Sequence, residues 1–154
     1  MFQRDFKEFI ELLNNHAVEY LLVGGYALAI HGHPRYTGDM DIWVKPDEEN
    51  AAKVMAVLED FGFGELDLTT EDFTKLGNVI QLGYPPLRID LLTQPDGVEF
   101  ADSYTQRLDV AYGGVTVHVI SLQDFKTSRL QDFKTSRLQD FKTSRLQDFK
   151  TSRL

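Results

Sequence analysis

Cysteine is missing from all 154 residues, so neither a disulfide nor a thiolate metal site can brace this chain. Long apolar runs are missing too: nothing approaches the roughly 18 residues of a membrane span, and the opening MFQRDFKEFIELLNNH mixes charges into its apolar positions, unlike a signal peptide. A soluble, cytoplasmic protein without a membrane partner is expected. Positive charge is scarce, with 16 Lys and Arg against 24 Asp and Glu and a net charge of −8. The last 32 residues carry four Asp against eight Lys and Arg, which leaves −12 on residues 1–122. Such a body repels bare nucleic acid on average and disfavours it as a partner, although a local basic site or a metal could still take phosphate.

What is present suits one folded unit. The length fits a single core, and 42% hydrophobic with 26% charged residues is an ordinary globular composition. The octapeptide QDFKTSRL occurs four times without a mismatch from Gln123 to Leu154. Eight residues of helix rotate each copy by about 80°, so its Phe and Leu wind around the axis. In a strand, Phe125 and Leu130 point to opposite faces. Neither geometry gives a steady apolar stripe. The sequence therefore divides into a domain at 1–122 and a repeat tail at 123–154, of which the first copy is expected as a helix packed on the domain. A basic arm for a partner is the alternative.

The pattern upstream of the tail is α/β, in the α+β sense of a mixed sheet flanked by helices. Phe2, Phe6, Phe9, Ile10 and Leu13 follow helical spacing. EYLLVGG is a short apolar strand ending in glycine, YALAIHG a short helix, and GDMDIWVK an alternating strand. Asp47 can cap a helix with Ala52, Met55, Val57, Leu58 and Phe61 on its apolar face, stopped by Gly62. EDFTKLG predicts another short helix, NVIQLG and LRIDLLT two strands with a proline turn between them, and FADSYTQRL a helix. Gly113 and Gly114 turn a hairpin, and Ser121 with Asp124 starts the last helix.

Three acids and two glycines carry chemistry. A Gly24-Gly25 turn between strand and helix would let backbone amides approach a phosphate, though tight turns use glycine for its φ > 0 anyway. Asp39 and Asp41 share one face of a strand, where like charges repel unless a cation such as Mg²⁺ sits between them; a solvated edge is the alternative. Asp90 is a carboxylate in an otherwise apolar strand and needs an ion or a hydrogen-bonding group, or else a partner such as Arg88 or Lys75. Together the acids could form a two-metal clamp. His31 and His33 read as loop or helix-end residues, His118 as a sheet residue, and Trp43 and Tyr26 as core or pocket-wall aromatics.

The stretch VGGYALAIHGHPRYTGDMDIWV resembles the signature of the polymerase β-like nucleotidyltransferase superfamily: a glycine turn, an Arg-x-Thr-x-Asp-x-Asp stretch, and a third carboxylate on a later strand. The resemblance spans roughly residues 18–120 and is closest to small stand-alone prokaryotic members, some of them in toxin–antitoxin or abortive-infection systems. It implies transfer of a nucleoside monophosphate from an NTP, ATP by analogy, to a hydroxyl of an unidentified acceptor. Asp39, Asp41 and Asp90 would be catalytic and would hold Mg²⁺, or Mn²⁺ in its place. Gly24, Gly25, Arg35 and Thr37 would bind the nucleotide. The alternative is a nucleotide-binding or antitoxin-like module that acts on a protein partner with little turnover.

Overall fold

The computed structural model describes residues 4–33, 38–84, 87–94 and 98–128. Helix α1 (Arg4–Asn15) forms where apolar residues recur at helical spacing, and it buries Phe6, Phe9, Ile10 and Leu13. Each such side chain contributes about 1.5–3 kcal/mol relative to exposure. Strand β1 (Tyr20–Val23) follows, buried along its whole length, and runs directly into α2 (Gly24–Ile30). Strand β2 (Asp39–Val44) and helix α3 (Glu48–Leu58) come next. The Asp47 side chain caps α3 by accepting from the Asn50 amide at 2.7 Å.

The apolar face of α3 differs from the expected one. Ala51, Val54, Val57 and Leu58 are buried while Ala52 is exposed, because the buried stripe of α3 passes through Ala51 and leaves its neighbour, about 100° further round the helix, outside it. Gly62, at φ +105°, breaks the α-helical course as expected, inside a wider turn over Glu59–Phe63 that buries Phe61 and Phe63. A single 3-10 turn at Thr70–Phe73 carries a capping box between Thr69 and Asp72. The chain then forms β3 (Val79–Tyr84), β4 (Leu87–Leu92), α4 (Phe100–Thr105), β5 (Leu108–Tyr112), β6 (Val115–Val119) and α5 (Leu122–Thr127). The expected proline turn between β3 and β4 lies outside the described residues. Ser121 caps α5 by accepting from the Asp124 amide at 3.1 Å, and Phe125 packs against the core. The later copies of the octapeptide lie outside the described residues.

The strands form one mixed sheet in the order β3-β4-β2-β1-β6-β5. β1 is antiparallel to β2 and parallel to β6, and β2 is parallel to β4. This places β2 and β1 at the centre, where Trp43, Tyr20, Leu21, Leu22 and Ile42 are fully buried. Helices α1 and α3 pack together, and the Phe9 ring meets Phe61 edge-on at 5.0 Å. Trp43 behaves as a core aromatic, with its indole N–H donating to the Thr93 carbonyl at 3.0 Å. His31 caps the end of α2 and His118 lies in β6, as their neighbours in sequence suggested.

One buried side chain joins the sheet to α3. Asn50 accepts from the Glu19 amide at 2.8 Å and donates to the Glu19 and Lys45 carbonyls at 3.0 Å each. It binds the backbone just before β1 and just after β2, where the Glu19 carbonyl also accepts from the Lys45 amide at 3.1 Å. Asn50→Ala is expected to lower stability by about 2–4 kcal/mol in urea unfolding, because the Glu19 amide and the Lys45 carbonyl lose this partner. A loss under about 1 kcal/mol would show that water replaces the amide there.

Candidate active site

The acids meet because of register. β2 and β4 run parallel with Asp41 beside Asp90 and Asp39 beside Arg88, while antiparallel β3 sets Gln81 on the other side of Asp90. Side chains of paired residues point to one face, and so do residues two apart along a strand. Asp39, Asp41, Arg88, Asp90 and Gln81 therefore project from a single face of the sheet. Asp90 is fully buried and Asp41 is 5% exposed, whereas the Asp39 side chain, at 28%, stands at the margin.

Two carboxylates in a buried row would destabilise the sheet without positive charge nearby, and Arg88 supplies it. Its Nε donates to Asp90 Oδ1 at 2.9 Å, and its Nη2 donates to Asp90 Oδ2 at 3.2 Å and to Asp39 Oδ2 at 2.5 Å. The guanidinium thus grips Asp90 with two nitrogens and bridges to Asp39. Removing one partner of a buried ion pair typically costs about 3–5 kcal/mol, far more than a surface pair contributes. The pairing of Asp90 with Arg88, one of the two arrangements its sequence context allowed, is the one found.

Asp41 is held differently. Gly24 opens α2 at φ +71°, and a Cβ built there would lie 2.1 Å from Asp41 Oδ2. The carboxylate therefore occupies the space that a side chain at 24 would fill. Val23, the residue before α2, has no polar side chain to cap the helix. The Asp41 carboxylate instead comes against the helix start, where unpaired N–H groups and the helix dipole favour negative charge. Glycine is needed at 24 twice over, for its backbone angle and for this approach. Gly25 follows it in the first turn of α2.

The donor set suits a hard divalent cation, since it offers only carboxylate oxygens on adjacent strands. Among the described residues, however, no three His, Cys, Asp or Glu side chains are gathered as a ready cation site. The Arg88 guanidinium already bridges two of the three acids. Asp39, Asp41, Asp90, Gly24 and Gly25 are brought together at one end of β1 and β2, and Arg35 and Thr37 lie outside the described residues. Gln81 was not anticipated, although an amide between the apolar Ile80 and Leu82 signalled it. No helix of the described residues is long and apolar enough to cross a membrane.

Comparison with known proteins gives the family and the fold. A family model for nucleotidyltransferases of unknown function (DUF6036) matches residues 3–149. A candidate nucleotidyltransferase of Thermotoga maritima, TM1012, shares the fold with a TM-score of 0.60, at 15% identity over 89% of this chain and 88% of that one. The antibiotic-resistance factor ANT(2'')-Ia superposes more loosely, with a TM-score of 0.48 at 15% identity over 96% of this chain and 88% of that one. No curated protein matches the sequence.

Gly24→Ala forces a methyl group into the Asp41 carboxylate and a left-handed angle onto alanine. It is expected to cost about 1–3 kcal/mol in thermal or urea unfolding. An unchanged melting temperature would show that the Gly24–Asp41 approach is not fixed in the folded protein.

Proposed function

Because the chain belongs to the family of nucleotidyltransferases of unknown function, we propose that it transfers a nucleoside monophosphate from a Mg²⁺-bound NTP to an acceptor hydroxyl. The site of transfer is the carboxylate row of Asp39, Asp41 and Asp90. The parallel register that makes neighbours of Asp41 and Asp90, with Asp39 on the same face, carries this reading. Three buried or half-buried acids at the centre of a sheet, beside a glycine that opens a helix, are costly to a fold and useful to phosphate chemistry.

In the reaction, the acceptor oxygen bonds to the α-phosphorus, the bond from that phosphorus to the bridging oxygen breaks, and pyrophosphate leaves. Bound Mg²⁺ supplies charge neutralisation at the phosphates and activates the attacking oxygen. Asp39 and Asp41 would hold it, with Asp90 completing the set and taking the hydroxyl proton. Gly24 and Gly25 bring no side chain of their own to the helix start, where the backbone would approach the triphosphate. Arg35 and Thr37 would add contacts to the phosphates. Positioning and charge neutralisation dominate chemistry of this kind, and a rigid central sheet provides both. ATP as donor, Mn²⁺ in place of Mg²⁺, a cytoplasmic setting and a toxin–antitoxin role belong to this reading by family analogy. The division of the chain into a catalytic domain at 1–122 and a repeat tail at 123–154 belongs to it too, and rests on the octapeptide repeat.

One observation favours a second reading, a nucleotide-binding or protein-interaction module with little turnover. Arg88 already pairs with Asp39 and Asp90, so two of the three acids have a positive partner within the protein. Calorimetric titration with each Mg²⁺-NTP separates the readings from a failed site. The wild-type protein is expected to bind at least one of them, and Asp41→Asn to lose that binding by more than about tenfold, the equivalent of 1.4 kcal/mol. Equal affinity in the variant would contradict the assignment of Asp41 to the metal–nucleotide site. Binding followed by transfer from α-labelled NTP supports the enzyme; binding without transfer to any acceptor supports the module.

A further inference from the structure

We infer that Arg88 is a resident counter-cation that competes with the divalent ion for Asp39 and Asp90, and that the ion enters only as the guanidinium turns away. The inference rests on the metal–nucleotide reading of this site and adds a control built into it. Arg88 engages both oxygens of Asp90 and Oδ2 of Asp39. A Mg²⁺ ion needs oxygen ligands at about 2.0–2.1 Å in near-octahedral order, and it cannot share them with a guanidinium that lies between the two acids. Either cation offsets part of the negative charge of the row, so the two states exchange one positive partner for another.

The location of Arg88 allows the exchange. Its side chain is 16% exposed and bonds to the half-exposed Asp39 at the margin, so the guanidinium has a path outward while Asp90 stays fixed beneath. Once released, a planar fork of donors two residues from Asp90 suits a phosphate as well as it suits a carboxylate. Arg88 is in this sense a positioning residue. It holds like charges together before the ion arrives and sets how tightly the ion is held.

Binding of Mn²⁺ alone, without nucleotide, tests this, with free Mn²⁺ read by electron paramagnetic resonance. Arg88→Gln is expected to bind Mn²⁺ about tenfold or more tightly than wild type, since the guanidinium no longer competes for Asp39 and Asp90. Arg88→Lys, which keeps the charge and loses the fork, is expected between the two. A purely structural arginine would predict lower stability with no gain in Mn²⁺ affinity, so equal or weaker binding by Arg88→Gln overturns the inference. Should Arg88→Gln fail to fold even with Mn²⁺, Arg88→Lys decides: tighter binding than wild type upholds the inference, and equal or weaker binding overturns it. Mn²⁺ binding by wild type without tightening in the variants removes only the role of Arg88. Absence of Mn²⁺ binding in all three proteins removes the metal site with it.

Discussion

Pairing of Arg88 with Asp39 and Asp90 is the constraint on which the centre of this molecule depends. Three carboxylates project from one face of two adjacent parallel strands, two of them almost wholly out of water. Such a row is tolerable only with positive charge at hand, and the guanidinium provides one charge and three hydrogen bonds to two acids. A core that needed only stability would place Val or Ile at these positions. Retaining acids and an arginine there makes sense when the acids have a second use.

The rest of the architecture places that row. Parallel pairing of β2 with β4 fixes which residues are neighbours, and antiparallel pairing of β1 with β2 sets Val23 beside Asp41. The chain then turns from β1 into α2 at once, so the helix start arrives next to the Asp41 carboxylate. Asn50 and Thr93 secure the far ends of the same strands through backbone hydrogen bonds, which keeps the register from slipping. Packing, register and charge therefore converge on one small region of the sheet.

Much of this was legible in the sequence for local reasons. Period-two alternation put Asp39 and Asp41 on one face, an isolated acid in LRIDLLT marked Asp90, and glycine at 24 announced a backbone that no side chain could follow. The six strands and the helix caps at Asp47 and Ser121 were visible by the same local rules. Non-local facts were not. No single strand shows that β2 lies parallel to β4, and so the direct adjacency of Asp41 and Asp90 emerged only from the fold. Arg88 stood two residues before Asp90 and hence on its face, yet its reach across to Asp39 depends on the neighbouring strand. Ala52 was misplaced because alanine is indifferent between core and surface, and one turn of α3 could be rotated without penalty in the pattern.

The central claim is that Asp39, Asp41 and Asp90 form a cation and nucleotide site that Arg88 occupies in the cation's place. The most direct measurement is the anomalous diffraction signal of Mn²⁺ in crystals grown with a non-hydrolysable NTP analogue. The account predicts a peak among the three carboxylates, with the Arg88 guanidinium turned toward the phosphates. A peak elsewhere, or bound nucleotide with Arg88 still bridging Asp39 and Asp90, would contradict it.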